Sequence, residues 1–281
     1  MKIILHGGFF SESDQSHETK IKKQESLSEI ARKSHQFLAS HSAIETVAYA
    51  VSLLEDDPLF NAGIGSQIQS DGKIRMSCAL MNGETQKMTG VINIEMVKNP
   101  IRVAEKLMQM DVEDRILSGK GAQDFAINEG FEKFSTSTKE REKEYIAKKK
   151  ATGIGTVGAV ALDKNGLLAV ATSTGGKGFE IPGRVSDSST VAGNYANKYC
   201  AVSCTGVGED IVSNATATKI VTRVSDGMNI ESAFEKTFEE LKEIEGFAGA
   251  IAIDNKGNIM HMDSHPTMVY ASYDGKELQV F

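Results

Sequence analysis

The chain has 281 residues, 40% of them hydrophobic and 25% charged, which is typical of a globular protein with one large domain or two small ones. A formal net charge of −7 gives no electrostatic basis for a nucleic-acid or membrane partner. The three cysteines, Cys78, Cys200 and Cys204, indicate a reducing compartment rather than a disulfide framework, and no CxxC pair suggests zinc. No apolar run is long enough for a signal sequence or a membrane span, so a cytoplasmic protein is expected.

In the first half of the chain, the predicted strands and helices come in separate runs. MKIILHGG predicts a strand that ends at Gly7-Gly8, and apolar residues spaced by three and four predict helices across residues 25–55. IRMSCALMNG and GVINIEMV are typical of strands. Asn99-Pro100 begins a further helix, and GAQDFAINEGFEKF predicts another that reaches Phe134. Residues 135–152 are polar and poor in core-forming side chains, so a flexible linker or an exposed helix is expected there.

Two hairpins are predicted in the second half. TVGAVALD and LLAVATSTG flank Asn165-Gly166, a dipeptide favoured in hairpin turns because both residues tolerate positive φ. A second hairpin turns at Asn255-Lys256-Gly257. Between the hairpins, YCAVSC predicts a strand, GEDIVSNATATKIVTRVSDG one helix and IESAFEKTFEELKEIEG another. Such segregated runs favour an α+β layered sandwich with largely antiparallel sheets.

The stretch GIGTVG, residues 153–158, spells the G-x-G-x-x-G pattern of dinucleotide-binding folds. That pattern needs a strand before it and a helix after it, because the helix N-terminus binds the pyrophosphate. Here the preceding residues are polar and lysine-rich, and the following residues predict a strand. The order is reversed, so the stretch argues against a nucleotide cofactor.

Polar residues of the second half stand where predicted strands end. Thr156 opens one strand of the first hairpin and Thr174 closes the other, at equal distances from the turn, which places both at the open end. Arg184 and Asp187 follow in GRVSDS, and Thr205 precedes a helix whose first glycines leave N–H groups free to bind an anion. Taken singly, each threonine is a common strand residue, and the Arg184–Asp187 pair is typical of a surface salt bridge. Together they supply the nucleophile, oxyanion donors and charge clamp of an acyl-transfer site.

The general base of such a site is missing from the neighbouring sequence. None of the six histidines lies near these residues along the chain, and the GxSxG arrangement is absent. A cut between Gly155 and Thr156 would supply the base, because a free α-amino group has a pKa of about 7.7–8.0 and can take the proton from its own Oγ. The lysine-rich segment would then end where the chain is cut.

Six stretches carry a resemblance to a known family: LHGG, LFNAGIGS, GTVGAVALD, TSTGG, GRVSDS and SCTGVGE. In their order and spread the chain resembles the plant-type (type 2) L-asparaginases, which are also isoaspartyl peptidases of the N-terminal-nucleophile hydrolase superfamily. The resemblance implies a four-layer αββα sandwich and hydrolysis of L-asparagine and β-aspartyl dipeptides. It also implies autocleavage into an α chain (1–155, with a flexible linker at about 135–155) and a β chain (156–281), which form one domain, and a homodimer of αβ units.

The resemblance also implies a role for each site residue. Thr156 would be the nucleophile and its own base, Thr174 would orient its hydroxyl, and Thr205 Oγ with the Gly206 N–H would form the oxyanion hole. The substrate would be bound by Arg184 through its α-carboxylate, by Asp187 through its α-ammonium, and by further contacts from Gly206, Gly208 and Asn61.

A sodium-binding loop is implied in the first half. The segment LEDDPLFNAGI resembles the family's loop, whose ligands are mostly backbone carbonyls. The corresponding residues are Leu54, Glu55, Asp57, Phe60, Ala62 and Ile64. The ion would be structural, and no cofactor is expected for catalysis.

Two departures from the family pattern bear on cleavage efficiency and substrate range. Phe9-Phe10 stand where the family usually continues HGG with small residues, and Ser186 replaces a glycine of GRVGDSP. Neither removes a predicted catalytic group.

Three alternatives remain open on the sequence. A glycosylasparaginase would share the threonine, arginine and aspartate but usually carries TSTNG where this chain has TSTGG. The protein could also be an uncleaved binding module with a residual pocket. Finally, alternation along a strand could direct His261, Asp263 and His265 of HMDSH to one face, although no fourth metal ligand is evident.

Overall fold

The computed structural model describes residues 1–10, 17–110, 112–147 and 155–281. The strands are β1 (Lys2–Phe9), β2 (Met76–Asn82), β3 (Met88–Ile94), β4 (Ile116–Ser118), β5 (Thr156–Leu162), β6 (Leu168–Thr174), β7 (Asn194–Ala196), β8 (Cys200–Gly206), β9 (Ala248–Asp254), β10 (Ile259–Asp263), β11 (Met268–Tyr273) and β12 (Leu278–Val280). The helices are α1 (His17–Leu38), α2 (Ala43–Asp56), α3 (Pro100–Gln109), α4 (Gly119–Asn128), α5 (Lys139–Ile146), α6 (Gly208–Asn214), α7 (Thr216–Ser225) and α8 (Ile230–Glu243).

The strands form two sheets. The larger has the order β12-β11-β1-β5-β6-β2-β3-β4, and the smaller has the order β10-β9-β8-β7. Neighbouring strands are antiparallel except β3 and β4, which run parallel. The prediction of an α+β protein with largely antiparallel sheets is confirmed.

Buried apolar side chains form three clusters. One joins α1, α2 and α3 to the larger sheet and includes Leu27 and Val51. A second joins α7 and α8 to the smaller sheet around Phe234. The third contains side chains of both sheets, among them Val160 and Ile251. Every residue of β5 and β6 is buried, because the two faces of these strands contribute to different clusters.

Both predicted hairpins form, and an aspartate closes each turn. Asp163 Oδ1 accepts hydrogen bonds from the backbone N–H groups of Asn165 and Leu167, at 2.8 and 3.1 Å. Asp254 makes the equivalent pair of bonds in the turn between β9 and β10. Gly166 has a φ of 80°, whereas Asn165 does not adopt a positive φ. The hairpin prediction is therefore confirmed, but only the glycine uses the freedom that was assigned to both residues.

Some predicted boundaries in the first half are wrong, and the first helix begins at His17 rather than near residue 25. The first strand continues past Gly7-Gly8 to Phe9, because Gly8, with a φ of 86°, lies at a register shift that keeps the strand paired with β11. Helix α4 ends at Asn128 rather than at Phe134, and Gly130 follows it with a φ of 86°.

The helix predicted from GEDIVSNATATKIVTRVSDG is in fact two helices. Ala215 has a φ of 52°, a left-handed conformation that ends α6 and precedes α7. An alanine gives no sequence signal for this break, because it is otherwise the best helix former. The three-residue strands β4 and β7 were also missed, since such short segments carry no readable alternation.

The polar segment before Thr156 contains the helix α5, which has no buried residue. Its Tyr145 ring stacks on Phe179 with centroids 5.3 Å apart, and Arg141 Nε donates to the Gly65 carbonyl at 2.8 Å. The exposed-helix alternative therefore holds for this part, while residues 148–154 of the predicted linker lie outside the described residues. Within the described ranges, no helix has both the length and the apolar character needed to cross a bilayer.

Candidate active site

The predicted nucleophile lies at the open end of the first hairpin. Thr156 is the first residue of β5 and pairs with Thr174, the last residue of β6. The two Oγ1 atoms are 3.4 Å apart, and both residues are buried. The equal spacing from the turn thus predicted the register correctly.

The smaller sheet brings a third threonine to this point. Thr205, near the end of β8, accepts a hydrogen bond at its Oγ1 from the Thr156 backbone N–H at 3.4 Å. Gly206 follows with a φ of 142°, and a Cβ at this position would lie 2.5 Å from the Phe247 carbonyl oxygen. Only glycine fits there, so the chain can turn from β8 into α6 directly beside the three hydroxyls.

Arg184 and Asp187, the residues of the predicted charge clamp, lie close together, and Arg184 has a further partner. Arg184 donates two hydrogen bonds of 2.8 Å, from Nε and Nη2, to the two carboxylate oxygens of Glu209 on α6. A Cβ on Gly208 would lie 2.9 Å from both Arg184 Nη2 and Asp187 Oδ1, so this glycine leaves room for both side chains. Sequence reasoning missed Glu209, although it belongs to the quoted stretch SCTGVGE, because Arg184 precedes it by 25 residues.

Asp187 is buried beside this arginine and lacks a full set of partners. Its Oδ2 atom has no hydrogen-bond partner among the described residues. Burial raises the pKa of Asp187 to about 7, and the positive charge of Arg184 opposes that rise. An ammonium group at this place would favour the ionised carboxylate.

We expect Asp187 to make stability depend on pH. Its folded-state pKa of about 7 lies above the ordinary aspartate value of 3.8, so between these two values the folded chain holds a proton that the unfolded chain has released. The stabilisation is complete below the unfolded-state pKa and is lost as pH rises through about 7. The free energy of unfolding of the single-chain variant Thr156→Ala, measured with urea, should therefore fall as the pH rises from the unfolded-state pKa of Asp187 to about 7.

The matched control is the double variant Thr156→Ala/Asp187→Asn, which has no titrating group at this position. Burial also raises the pKa of Glu55, to about 8, but that group is present in both proteins and cancels in the comparison. Parallel curves of unfolding free energy against pH would contradict the assignment.

Asn61 lies against the predicted cleavage site. A Cβ on Gly155 would lie 3.1 Å from the Asn61 Cβ. Asn61 Nδ2 donates to the Gly176 carbonyl at 2.6 Å, and its Oδ1 accepts from the Gln67 N–H at 3.0 Å. The asparagine therefore joins the loop after α2 to the end of β6.

The predicted sodium loop folds around its own carbonyl groups. The Glu55 carbonyl accepts from the Ile64 N–H at 2.7 Å, and a Cβ on Gly63 would lie 2.2 Å from the same oxygen. A Cβ on Gly65 would lie 2.7 Å from the Phe60 carbonyl oxygen. Each such carbonyl keeps a second lone pair, and neutral backbone oxygens are of the type that an oxygen-bound cation takes as ligands.

Three site neighbours were not found by sequence reasoning. His6 Nδ1 is 2.9 Å from the Thr156 carbonyl oxygen, His6 Nε2 is 2.8 Å from Ser203 Oγ, and Ser188 Oγ is 3.5 Å from Thr156 Oγ1. His6 was set aside because 150 residues separate it from Thr156, although LHGG was among the quoted stretches. The exclusion of His6 on the basis of its distance along the sequence was therefore wrong.

The proposed HMDSH metal site is not assembled. His261 stacks on Tyr270, His265 stacks on Phe247, and Asp263 accepts a hydrogen bond from the Met268 N–H. Within the described parts of the chain, no group of three His, Cys, Asp or Glu side chains could hold a metal ion.

Comparison with known proteins places the chain in a family. The family model described as asparaginase matches residues 1–153 and, separately, residues 135–281. The chain belongs to the asparaginase family. An isoaspartyl peptidase/L-asparaginase of Synechocystis is 42% identical, with 98% of this chain and 88% of that protein covered. The resemblance drawn from the sequence is thus confirmed.

Two further relatives of this asparaginase-family chain carry related names. An isoaspartyl peptidase of Salmonella typhimurium is 37% identical over 92% of this chain and 90% of its own length. A plant-type L-asparaginase of Pyrococcus abyssi is 34% identical over 96% and 95%, respectively. The two family-model matches overlap at residues 135–153, within the segment predicted as a linker.

Proposed function

We propose that this chain is an L-asparaginase and isoaspartyl peptidase that uses Thr156 as its nucleophile. Hydrolysis of L-asparagine and of β-aspartyl dipeptides follows from family membership and from the names of relatives that cover almost the whole chain. The observation that carries the mechanism is the meeting of Thr156, Thr174 and Thr205 at the ends of strands from both sheets.

The proposed reaction begins with the free α-amino group of Thr156, which takes the proton from its own Oγ. The oxygen attacks the side-chain carbonyl of the substrate, and Thr205 with the Gly206 N–H stabilises the oxyanion, a term typically worth about 3–4 kcal/mol per donor. The protonated amine then donates its proton to the leaving ammonia or amino acid. Water, activated by the same amine, hydrolyses the acyl-enzyme ester and releases L-aspartate.

The amine that acts as base is made by cleavage of the bond between Gly155 and Thr156, which gives an α chain of residues 1–155 and a β chain of residues 156–281. The position of Thr156 at the start of β5, beside the hydroxyls of Thr174 and Thr205, supports this position for the cut. Intact mass spectrometry after incubation, together with an asparagine-hydrolysis assay, tests the proposal. A chain that stays whole and inactive would instead favour a binding protein.

Substrate selection is proposed to rest on the charged groups beside the nucleophile. Arg184 uses the Nε–Nη2 edge of its guanidinium for Glu209, so the edge formed by Nη1 and Nη2 remains for the α-carboxylate of a substrate. Asp187, whose Oδ2 has no hydrogen-bond partner within the described part of the chain, would bind the α-ammonium. Because Gly208 has no side chain, the substrate would have room to reach both Arg184 and Asp187.

We expect β-aspartyl-leucine and L-asparagine to be hydrolysed and α-aspartyl-leucine to be left intact. In the first two, a free carboxylate and a free ammonium share one carbon, within reach of Arg184 and Asp187. In the α-linked dipeptide that carboxylate is consumed in the scissile bond, so the clamp has no group to hold. Release of leucine, measured by chromatography, gives the comparison, and similar rates on the two dipeptides would contradict the assignment.

Further proposals concern assembly and the ion. A four-layer αββα arrangement is supported by the three apolar clusters, one at each helix layer and one shared by the sheets. A homodimer of αβ units follows from the family resemblance, and a cytoplasmic location is supported by three free, buried thiols. A structural sodium ion would be held by the carbonyls of Leu54, Glu55, Asp57, Phe60, Ala62 and Ile64.

A further inference from the structure

His6 is buried at the interface of the two sheets, directly behind the nucleophile. It lies on β1, opposite Gly158 of β5, and is 0% exposed. A Cβ on Gly158 would lie 2.4 Å from His6 Nε2 and 2.0 Å from Ser203 Oγ. The last glycine of GIGTVG therefore leaves the space in which the imidazole and this hydroxyl meet.

The imidazole belongs to a chain of hydrogen-bonding groups. Its Nε2 is 2.8 Å from Ser203 Oγ, which is 2.7 Å from Thr172 Oγ1. Thr172 Oγ1 is in turn 2.9 Å from the side-chain oxygen of Asn194, whose Nδ2 has no partner among the described residues. All four residues are completely buried, so each of their polar groups needs a hydrogen-bond partner inside the protein.

Proton counting fixes the direction of this chain. The Thr156 carbonyl can only accept, so the neutral His6 ring must carry its proton on Nδ1, and Nε2 must accept from Ser203. Ser203 Oγ must then accept a hydrogen bond from the Thr172 hydroxyl, and Thr172 Oγ1 must accept one from an N–H of the Asn194 side chain. Exchanging the amide oxygen and nitrogen of Asn194 supplies that donor, an assignment that hydrogen-bond networks decide. Burial lowers the pKa of His6 to about 3, which keeps the ring neutral.

We propose that His6 is a positioning residue for the nucleophile: its Nδ1–H holds the Thr156 carbonyl, and the chain from Asn194 through Thr172 and Ser203 fixes the tautomer that can do so. The inference rests on the proposed role of Thr156. Once the chain is cut, Thr156 is a terminus whose nitrogen contacts only the Thr205 hydroxyl among the hydrogen bonds described. The imidazole then fixes the carbonyl end of the same residue and with it the direction of Oγ.

Loss of this bond should lower kcat and leave KM nearly unchanged, because substrate binding uses other groups. We expect His6→Leu, which keeps the volume but has no donor, to reduce kcat about 10- to 100-fold, the effect of a misplaced reacting group. His6→Asn can place an amide N–H near the position of Nδ1 and should recover most of that loss. His261→Asn, a histidine stacked on Tyr270, is the matched control and should leave kcat unchanged.

A second measurement does not depend on activity. In protein labelled with ¹⁵N-histidine, the His6 signals, identified by their absence from His6→Asn, should show a protonated Nδ1 and an unprotonated Nε2 from about pH 5 to pH 8, well above the pKa of about 3. A proton on Nε2 would overturn the proposed chain. This readout also decides the case if His6→Leu does not fold.

The outcomes separate this inference from the proposed function. Wild-type protein that neither cleaves nor hydrolyses asparagine would remove the proposed function. If the wild-type protein is active, a kcat of His6→Leu equal to that of wild type would overturn only the positioning role. A kcat of His6→Asn no higher than that of His6→Leu would do the same. Ser203→Ala removes the donor to Nε2 and should lower kcat with KM unchanged, whereas an unchanged kcat would overturn the part assigned to the chain.

Discussion

Thr156→Ala should abolish both chain cleavage and hydrolysis, with a fall in turnover of at least about 10⁴-fold. One hydroxyl is expected to attack the Gly155 carbonyl first and the substrate later, so its removal stops both reactions. Thr156 Oγ1 is 3.4 Å from the hydroxyl of Thr174, which is placed to orient it. Intact mass spectrometry measures the cleaved fraction, and ammonia release from asparagine measures turnover.

Two variants serve as controls for this experiment. Thr156→Ser keeps a hydroxyl and should retain part of both reactions, whereas Thr222→Ala removes a threonine of α7 outside the described site and should change neither. Cleavage after residue 155 in Thr156→Ala would mean that another nucleophile or a contaminating protease cuts the chain.

Local patterns predicted the hairpin that carries Thr156, the proposed nucleophile. Apolar alternation and a turn sequence are properties of neighbouring residues, so the register of Thr156 against Thr174 followed from counting residues on each side of the turn. The same reasoning placed Thr205 at the end of a strand. It could not show that this strand belongs to a different sheet, because sheet order depends on contacts distant in the sequence.

The groups that sequence reasoning missed all act across long separations. His6 reaches Thr156 only because β1 pairs with β5, and it reaches Ser203 only because the two sheets pack face to face. Glu209 of α6 reaches Arg184, which lies in the segment between β6 and β7. No local periodicity encodes such encounters, and the break at Ala215 likewise comes from tertiary structure overriding an alanine's preference for helix.

The second large expected effect is on asparagine hydrolysis when Arg184, the proposed carboxylate-binding residue, is replaced. In Arg184→Lys we expect the kcat/KM for asparagine to fall at least about 30-fold, or about 2 kcal/mol, while cleavage after Gly155 continues. The guanidinium binds Glu209 with one edge, and we propose that its other edge binds the substrate carboxylate. An ammonium has no such pair of edges, so a lysine held by Glu209 cannot also make a bidentate bond to the substrate.

Cleavage and hydrolysis must be measured on the same preparation, because the proposed mechanism requires the cleaved chain for hydrolysis. The cleaved fraction comes from intact mass spectrometry, and turnover is then expressed per cleaved molecule. Arg223→Lys is the matched control: Arg223 on α7 also hydrogen-bonds a glutamate, Glu240 of α8, but the pair lies outside the described site. It should leave kcat/KM unchanged. Near-wild-type hydrolysis by Arg184→Lys would reduce Arg184 to an ion-pair partner of Glu209, and the substrate assignment would fall with it.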